Sequence, residues 1–172
     1  MTNPGRFAFR CLIATALASP TAPVFAGSCP YQVGATQQVS APSMPTERCP
    51  LPLVQTNLLG SGQSFFLGNV AVTQSHCFDS ATGRVSDGQF TLASAAGTIV
   101  GTYEGWLESA PTTATDGIAY LRNAHFEIIG GTGAAAGAEG SALGDAVFNL
   151  VTGTAKSMVI GRVKVPGFPC GN

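Results

Sequence analysis

From residue 53 onward, seven short runs of alternating or mostly apolar residues are separated by turn-forming residues, the first turn being Gly60-Ser61-Gly62. Their length and their content of β-branched and aromatic residues are typical of strands, and no segment shows a convincing helical stripe. The segment GAEGSALGDAVFNL is a poor helix because it contains Gly140 and Gly144. The seven runs are LVQTNLL, SFFLGNVAVTQ, QFTLASA, TIVGTYEGWL, IAYLRNAHFEII, DAVFNLV and SMVIGRVKV.

Seven consecutive short strands predict an antiparallel all-β sandwich or barrel. A glycine-rich stretch at residues 130–137, GGTGAAAG, follows the run AHFEII and is a candidate for an eighth strand. Glycine within a strand marks a bulge, a sharp bend or a close backbone approach, and closing a small barrel needs such bends. We therefore predict a closed antiparallel β-barrel of about eight strands, with a structural corner formed by Gly130, Gly131, Gly133 and Gly137.

The same glycines could instead suggest a phosphate-binding loop. A dinucleotide loop needs the spacing GxGxxG between a strand and a helix, whereas Gly131, Gly133 and Gly137 give GxGxxxG. A P-loop needs Gly-Lys-Ser/Thr, and the stretch contains no lysine. We therefore predict that this stretch binds no nucleotide, and the sequence indicates no cofactor.

The first 26 residues are predicted to be a secretory signal peptide. MTNPGRFAFR carries two arginines and no acid, and the following run CLIATALASPTAPVFA is mostly apolar and uncharged. Val24 and Ala26 suit the positions before a cleavage site, and two prolines and a short length disfavour a retained transmembrane helix. We expect residues 27–52, which contain five prolines, to form an extended arm. Residues 53–172 would form the barrel domain, and the protein would be secreted or periplasmic.

Cleavage after Ala26 would leave four cysteines, an even number that in an exported domain predicts two disulfides with three conceivable pairings. We favour Cys29–Cys49, which would tie down the arm, and Cys77–Cys170, which would pin the C-terminal tail to the barrel. The cysteine spacing matches no common metal site, so no metal is predicted. The sequence AGSC ending at Cys29 has a faint likeness to a lipobox, and lipid anchoring through Cys29 is the alternative.

Charge limits the range of partners. After residue 26 the chain contains six Lys/Arg against nine Asp/Glu, a net charge of −3, because two of its eight basic residues lie in the predicted signal peptide. A nucleic-acid partner would require a basic face. We therefore expect no nucleic-acid partner.

Two stretches of the chain resemble a known group of proteins. FEIIGGTGAAAGAEGSA resembles the stretch F-x-I-x-GGTG-x-F-A-G-A-x-G-S-G of the allene oxide cyclase-like and dirigent-like barrel proteins, which include many secreted bacterial members of unassigned role. DGQFTLASAAGTIVGTYEG is similar to the preceding hairpin of that group. The resemblance covers about residues 52–166 and implies an eight-stranded antiparallel barrel, often assembled as a homotrimer. This chain departs from the pattern of the group at Ala134, Ala135 and Glu139. No catalytic motif of the group matches this chain, so the resemblance assigns no catalytic residue to it.

The best candidate cluster for ligand binding comes from TYEGW and AYLRNAHFE, which lie on neighbouring runs. Strand alternation places Glu104 and Trp106 on one face, and His125 on the face opposite to Arg122. If Glu104 and Arg122 face the lumen, they could form a charge pair that orients a ligand carboxylate or carbonyl. The favoured alternative is a surface cross-strand ion pair with Trp106 packed at the rim. The candidate ligand-binding residues are Tyr103, Glu104, Trp106, Tyr120 and Arg122.

Two other combinations of reactive residues are excluded by strand geometry. His76 and Cys77 are adjacent in a predicted strand, so their side chains point to opposite faces and do not form a nucleophile–base pair. Glu104 and Glu108 would lie roughly 13 Å apart along a strand, too far for the two carboxylates of a glycosidase. No catalytic residue is therefore assigned.

Two functions are compatible with these patterns. The favoured one is a non-catalytic secreted barrel that binds a small apolar ligand or serves in an envelope assembly. The alternative is a cyclase-like or dirigent-like enzyme that steers a reactive intermediate in an apolar cavity, which needs little acid–base machinery. An open lumen with a buried polar pair would favour the enzyme, and a lumen filled by Phe, Leu and Val would favour the binding or structural protein.

Overall fold

The computed structural model describes residues 27–109 and 117–168, and every regular element in these ranges is a β-strand. No helix long and apolar enough to cross a membrane occurs among these residues. The predicted signal peptide, residues 1–26, lies outside them. The eight strands are β1 (Ser28–Val39), β2 (Val54–Ser64), β3 (Gly68–Asp79), β4 (Arg84–Ser94), β5 (Gly97–Ser109), β6 (Ile118–Gly133), β7 (Glu139–Asn149) and β8 (Thr154–Lys164).

The eight strands form one closed antiparallel barrel, in which consecutive strands are neighbours. The first and last strands close it, in a register that runs from Ser28 opposite Lys164 to Gln38 opposite Thr154. Because every strand is paired on both sides, the barrel presents no long unpaired edge. The predicted closed antiparallel barrel of about eight strands is confirmed.

The predicted boundary between arm and barrel at residue 52 is wrong, because the first half of the predicted arm is strand β1. Cys29, Tyr31 and Val33 are buried, and the residues between them are exposed. This alternation is that of a strand with one face in a core. Strand β1 is therefore the eighth strand, and the glycine stretch lies at the end of β6 and in the turn that follows.

Residues 40–53 form an extended connection along the barrel wall. They first continue beyond β1 beside the start of β2, where the Gln55 N–H donates to the Met44 carbonyl at 2.7 Å. Further along the segment, Arg48 reaches β4, and its Nε lies 2.8 Å from Oδ2 of Asp87. The segment therefore covers part of the outer wall of the barrel.

The covering segment is tethered by a disulfide between Cys49 and Cys77 of β3, with a Cα–Cα distance of 5.4 Å. Both predicted pairings, Cys29–Cys49 and Cys77–Cys170, are therefore wrong. Cys29 lies near the start of β1, at the far end of that strand from residues 40–53, whereas Cys77 lies beneath them. Cys29 is itself disulfide-bonded, and Cys170 lies outside the described residues.

Peptide mapping without reduction is expected to find Cys49 joined to Cys77. Trypsin should release residues 49–84 as one peptide, because this stretch has no internal lysine or arginine. With the disulfide intact, the peptide is lighter than its reduced form by two hydrogen atoms, and a second cut between the cysteines leaves its halves joined. Alkylation of both cysteines without reductant, or a peptide that joins Cys29 to Cys49, would contradict the pairing.

The two ends of the barrel differ. Where β1 begins and β8 ends, the connections between strands fold over the lumen and fill it with small and medium-sized aliphatic side chains. We call this the closed end, and the end where β1 finishes and β8 begins the open end. The side chains that fill the closed end are buried Leu67, Ala135, Ala138 and Val165.

Candidate functional site

A cavity of about 480 Å³ lies at the open end of the barrel. Its volume falls in the range of roughly 300–1,000 Å³ that is typical of small-molecule sites. Six strands and the loops beside them provide the walls. The lining residues are Val39, Ser43, Val54, Thr56, His76, Phe78, Ser80, Val85, Leu107, Phe148, Asn149, Leu150 and Gly153.

The cavity wall is mostly apolar, and the described residues that line it include no Asp, Glu, Lys or Arg. Several polar groups near the mouth already have partners within the protein. The hydroxyls of Ser43 and Thr56 are hydrogen-bonded to each other at 2.8 Å, and Oδ1 of Asn149 accepts the backbone N–H groups of Val151 and Thr152 at 3.0 Å each. Such a wall suits a molecule that is neutral and largely apolar.

His76 lies at the base of the cavity and is the central polar residue of the site. It shares the inward face of β3 with Val70 and Val72, while the adjacent Cys77 is engaged in the disulfide on the outer wall. The Nδ1 atom of His76 lies 2.7 Å from the hydroxyl oxygen of Tyr103 on β5. Both side chains are 5% exposed, so the hydrogen bond is shielded from solvent.

An aromatic layer fixes the position of Tyr103. Its ring stacks on Phe126 of β6 with centroids 5.0 Å apart and planes 10° apart, and Phe126 contacts Phe90 edge to face at 5.7 Å. Gly88 on β4 leaves room for the phenol, because a Cβ there would lie 2.7 Å from Cδ1 of Tyr103. This layer separates the cavity from the closed end.

Burial shifts the pKa values of His76 and Tyr103 in the directions that favour the neutral form of each side chain. It lowers the pKa of His76 to about 4, and the positive charge of Arg48 acts in the same direction. Burial raises the pKa of the Tyr103 hydroxyl well above its usual range, with Arg48 acting against it. At neutral pH the pair therefore offers hydrogen bonds and no net charge.

Another buried polar side chain, that of Gln37, faces the lumen below the His76–Tyr103 pair. A void of about 10 Å³ lies there, and Gln37 is among its lining residues. The Gln37 side chain is 3% exposed, its Oε1 lies 3.5 Å from the hydroxyl of Ser157, and its Nε2 has no hydrogen-bond partner among the described residues. The void has the size of about one water molecule, so the space for a ligand is the cavity above it.

Of the five residues predicted to bind a ligand, the structure places one in the lumen and four on the outer face. Tyr103 is in the lumen. Glu104 and Trp106 point outward, and Trp106 is 58% exposed. Arg122 is also exposed and lies over the ring of Tyr120, with its guanidinium carbon 4.7 Å from the ring centroid. Glu104 and Arg122 therefore do not form a charge pair in the lumen, and the favoured interpretation of Arg122 as a surface residue agrees with the structure, although its ion-pair partner is Asp145.

The ion pair that Arg122 does form is on the surface. Its Nη1 lies 3.8 Å from Oδ2 of Asp145 on β7, and both side chains are about half exposed, at 51% and 53%. Exposed pairs of this kind contribute roughly 0–1 kcal/mol to stability. The charged side chains of the outer cluster thus face solvent and not the lumen.

A β-bulge explains why simple alternation failed in this region. The pairing of β6 with β7 shifts between Leu121 and Ala124, and Asn123 has a positive φ of 49°. The extra residue places Arg122 and His125 on the same exposed side, whereas strict alternation puts them on opposite faces. Bulges are not visible in a hydrophobic pattern, so the sequence did not reveal this one.

The sequence reading missed His76 as a lumen residue, although a signal was present. In GNVAVTQSHCF, every second residue from Val70 onward belongs to one face, and His76 falls on that face with Val72, Phe78 and one other polar residue, Gln74. A polar residue on a buried apolar face needs a hydrogen-bonding partner. The partner, Tyr103, is two strands away along the barrel wall, and only barrel closure brings the two side chains together.

The glycine stretch lies at the closed end, remote from the cavity. Gly130 and Gly131 are in the last part of β6, and Gly133 and Gly137, with φ of 58° and 70°, flank the turn into β7. Ala135 at the centre of this turn is completely buried. The stretch thus forms a corner of the barrel that helps to close the lumen.

No protein-family model, curated protein or solved structure matches this chain. The resemblance to the allene oxide cyclase-like and dirigent-like barrels therefore stays a prediction. The function has to be inferred from the cavity and from the His76–Tyr103 pair at its base.

Proposed function

We propose that the protein binds a small, neutral and largely apolar molecule in the cavity at the open end of its barrel. One observation carries this proposal: the cavity of about 480 Å³ has apolar walls and a buried polar pair at its base. Sites for small molecules typically combine such walls with a few placed polar groups.

The unequal filling of the lumen supports ligand binding over a purely structural role. The closed end and the middle of the barrel are filled by aliphatic side chains and by the rings of Phe90, Tyr103 and Phe126. An eight-stranded barrel has an interior that side chains can fill, and each Å² of buried apolar surface contributes roughly 25 cal/mol to stability. The described residues leave the open end unfilled, although filling it would add stability in a barrel that takes no ligand.

A second candidate function is a cyclase-like or dirigent-like enzyme, and the His76–Tyr103 pair favours it. A buried polar pair beneath an open cavity is the arrangement expected for steering a reactive intermediate by shape and hydrogen bonding. Binding of a small apolar molecule is common to both functions, which differ in whether the molecule is changed. Native mass spectrometry of protein purified from the export compartment reports any retained molecule and its chemical form.

We also propose that the protein is exported, to the periplasm or beyond the cell. The disulfide between Cys49 and Cys77 supports this proposal. Structural disulfides form and persist in oxidising compartments and are rare in the cytosol. Export also agrees with the basic and then apolar start of the chain, residues 1–26, although these residues lie outside the described ones.

The fluorescent probe N-phenyl-1-naphthylamine, which is neutral and apolar, is expected to bind saturably at one site per chain. Replacing Val54, which lines the cavity, by Trp should weaken its binding about tenfold, because overpacking a site costs typically 1–3 kcal/mol. The measurement is the fluorescence of directly excited probe, titrated with protein. The matched control is Leu59→Trp on the same strand, where the leucine is 51% exposed on the outer face; it should leave the probe affinity unchanged.

Two results would contradict the proposal. Absence of saturable probe binding to the unmodified protein would show that the cavity does not take apolar molecules. Equal weakening by Val54→Trp and Leu59→Trp would show that the probe binds elsewhere on the barrel.

A further inference from the structure

We infer that the ligand carries a neutral oxygen acceptor, a carbonyl or hydroxyl oxygen, which receives a hydrogen bond from the Nε2–H of His76. This inference rests on the proposed binding function and specifies the chemical class of the ligand. It follows from three features of the site: the tautomer of His76, the position of its ring between the void and the cavity, and the lack of charged side chains among the described residues of the cavity wall.

The hydrogen-bond network determines the tautomer. The buried hydroxyl of Tyr103 has one hydrogen-bond partner among the described residues, Nδ1 of His76. A buried O–H that does not donate is costly, whereas a phenol oxygen that accepts no bond costs less. The Tyr103 O–H therefore donates to Nδ1, and in the neutral imidazole the proton is then on Nε2.

His76 is the member of the pair that borders the ligand space. His76 lines both the cavity and the small void beneath it, whereas Tyr103 lines the void and not the cavity. The Nδ1 edge of the ring is thus engaged with Tyr103 on the inner side. The Nε2–H, which has no partner among the described residues, is the donor left for a molecule in the cavity.

The electrostatics of the cavity select a neutral acceptor over a carboxylate. The described lining residues include no cation, and burial keeps His76 uncharged, with a pKa of about 4. The guanidinium of Arg48 is on the outer wall, paired with Asp87 at 2.8 Å. An anion entering the cavity would lose its hydration without gaining a countercharge, which is strongly unfavourable.

The test compares three probes of equal chain length, 2-undecanone, undecane and undecanoate, as competitors of N-phenyl-1-naphthylamine. They are measured against the unmodified protein and against the double variant His76→Phe/Tyr103→Phe, which removes both polar groups and leaves neither partner unsatisfied. Comparing the ketone with the alkane in both proteins cancels the difference in their hydration. The affinity for the ketone relative to the alkane should fall about 3- to 10-fold in the double variant, the effect of one lost hydrogen bond.

If the double variant does not fold, His76→Asn replaces it. The asparagine side chain keeps an acceptor for the Tyr103 hydroxyl but lacks a donor at the position of Nε2, so the same relative loss is expected. An unchanged ratio of ketone to alkane affinity, or tighter binding of undecanoate than of 2-undecanone, would overturn this inference and leave the proposed binding function standing. Failure of the fluorescent probe to bind the unmodified protein would overturn both.

Discussion

Lowering the pH from 7 to 4 is expected to reduce the free energy of unfolding by about 3 kcal/mol through His76 alone. In the unfolded chain the imidazole has its ordinary pKa of 6.5, whereas burial, aided by Arg48, lowers the pKa to about 4 in the barrel. Between these two values the unfolded chain binds a proton that the native protein does not. The contribution of His76 to the free energy of unfolding is therefore fully present above pH 6.5 and is lost as the pH decreases toward 4. Urea unfolding at pH 7, 5.5 and 4 measures the effect.

The matched control for this titration is the double variant His76→Phe/Tyr103→Phe. It retains His125, the other histidine of the chain, and all carboxylates, including Asp79, whose pKa is lowered by hydrogen bonds from the Ala81 backbone and the Thr82 hydroxyl. Acid destabilisation that arises from these groups is common to both proteins. The difference between the two pH profiles belongs to His76, and parallel profiles between pH 7 and 4 would contradict the assignment of a buried neutral imidazole.

Most strands could be predicted from the sequence because their signal is local. Runs such as SMVIGRVKV combine β-branched residues with turn residues at both ends, and the corresponding strand β8 was predicted. Strand β1 was not, although Cys29, Tyr31 and Val33 alternate, because its inward face then continues with Ala35 and Gln37 instead of large apolar residues. This segment forms a strand because it pairs with β8 and β2, and such long-range pairing cannot be predicted from the residues of the segment alone.

One turn was predicted at the wrong position, again because tertiary contacts decide where the chain turns. Gly60-Ser61-Gly62 has the composition of a turn but lies inside β2. The real turn between β2 and β3 contains Phe65, Phe66 and Leu67, and Leu67 is buried at the closed end. Leu67 covers the end of the lumen and Phe66 packs against the core, whereas Phe65 is exposed, so a tertiary role of two turn residues overrides ordinary turn chemistry.

The site was harder to predict than the fold. Tyr103 was predicted as a ligand-binding residue together with Glu104 and Arg122, but these two face solvent. The residue that Tyr103 contacts is His76, 27 positions earlier in the chain. The disulfide partners were missed for the same reason: four cysteines allow three pairings, and only the path of residues 40–53 across the outer wall decides among them.

The corner at the closed end provides the second large effect: Gly133→Val is expected to lower the melting temperature by about 5–10 °C. Gly133 has a φ of 58°, a conformation that costs a residue with a side chain roughly 1–3 kcal/mol, with β-branched residues affected most. An added Cβ would also overlap the carbonyl oxygen of Ala96 and lie 2.9 Å from Cα of Gly97. Thermal unfolding followed by circular dichroism measures the shift, since 1 kcal/mol moves a domain of this size by roughly 2–6 °C.

The matched control lies three residues earlier in the same stretch. At Gly130 an added Cβ would find its nearest neighbour, Cγ2 of Val100, at an ordinary 3.5 Å, so Gly130→Val should change stability by at most about 0.5 kcal/mol. The contrast follows from the backbone: the Ala134 N–H donates to the Ala96 carbonyl at 2.8 Å, and a side chain at position 133 would displace that same carbonyl. Equal melting temperatures for the two variants would show that the corner at Gly133 is not sterically tight.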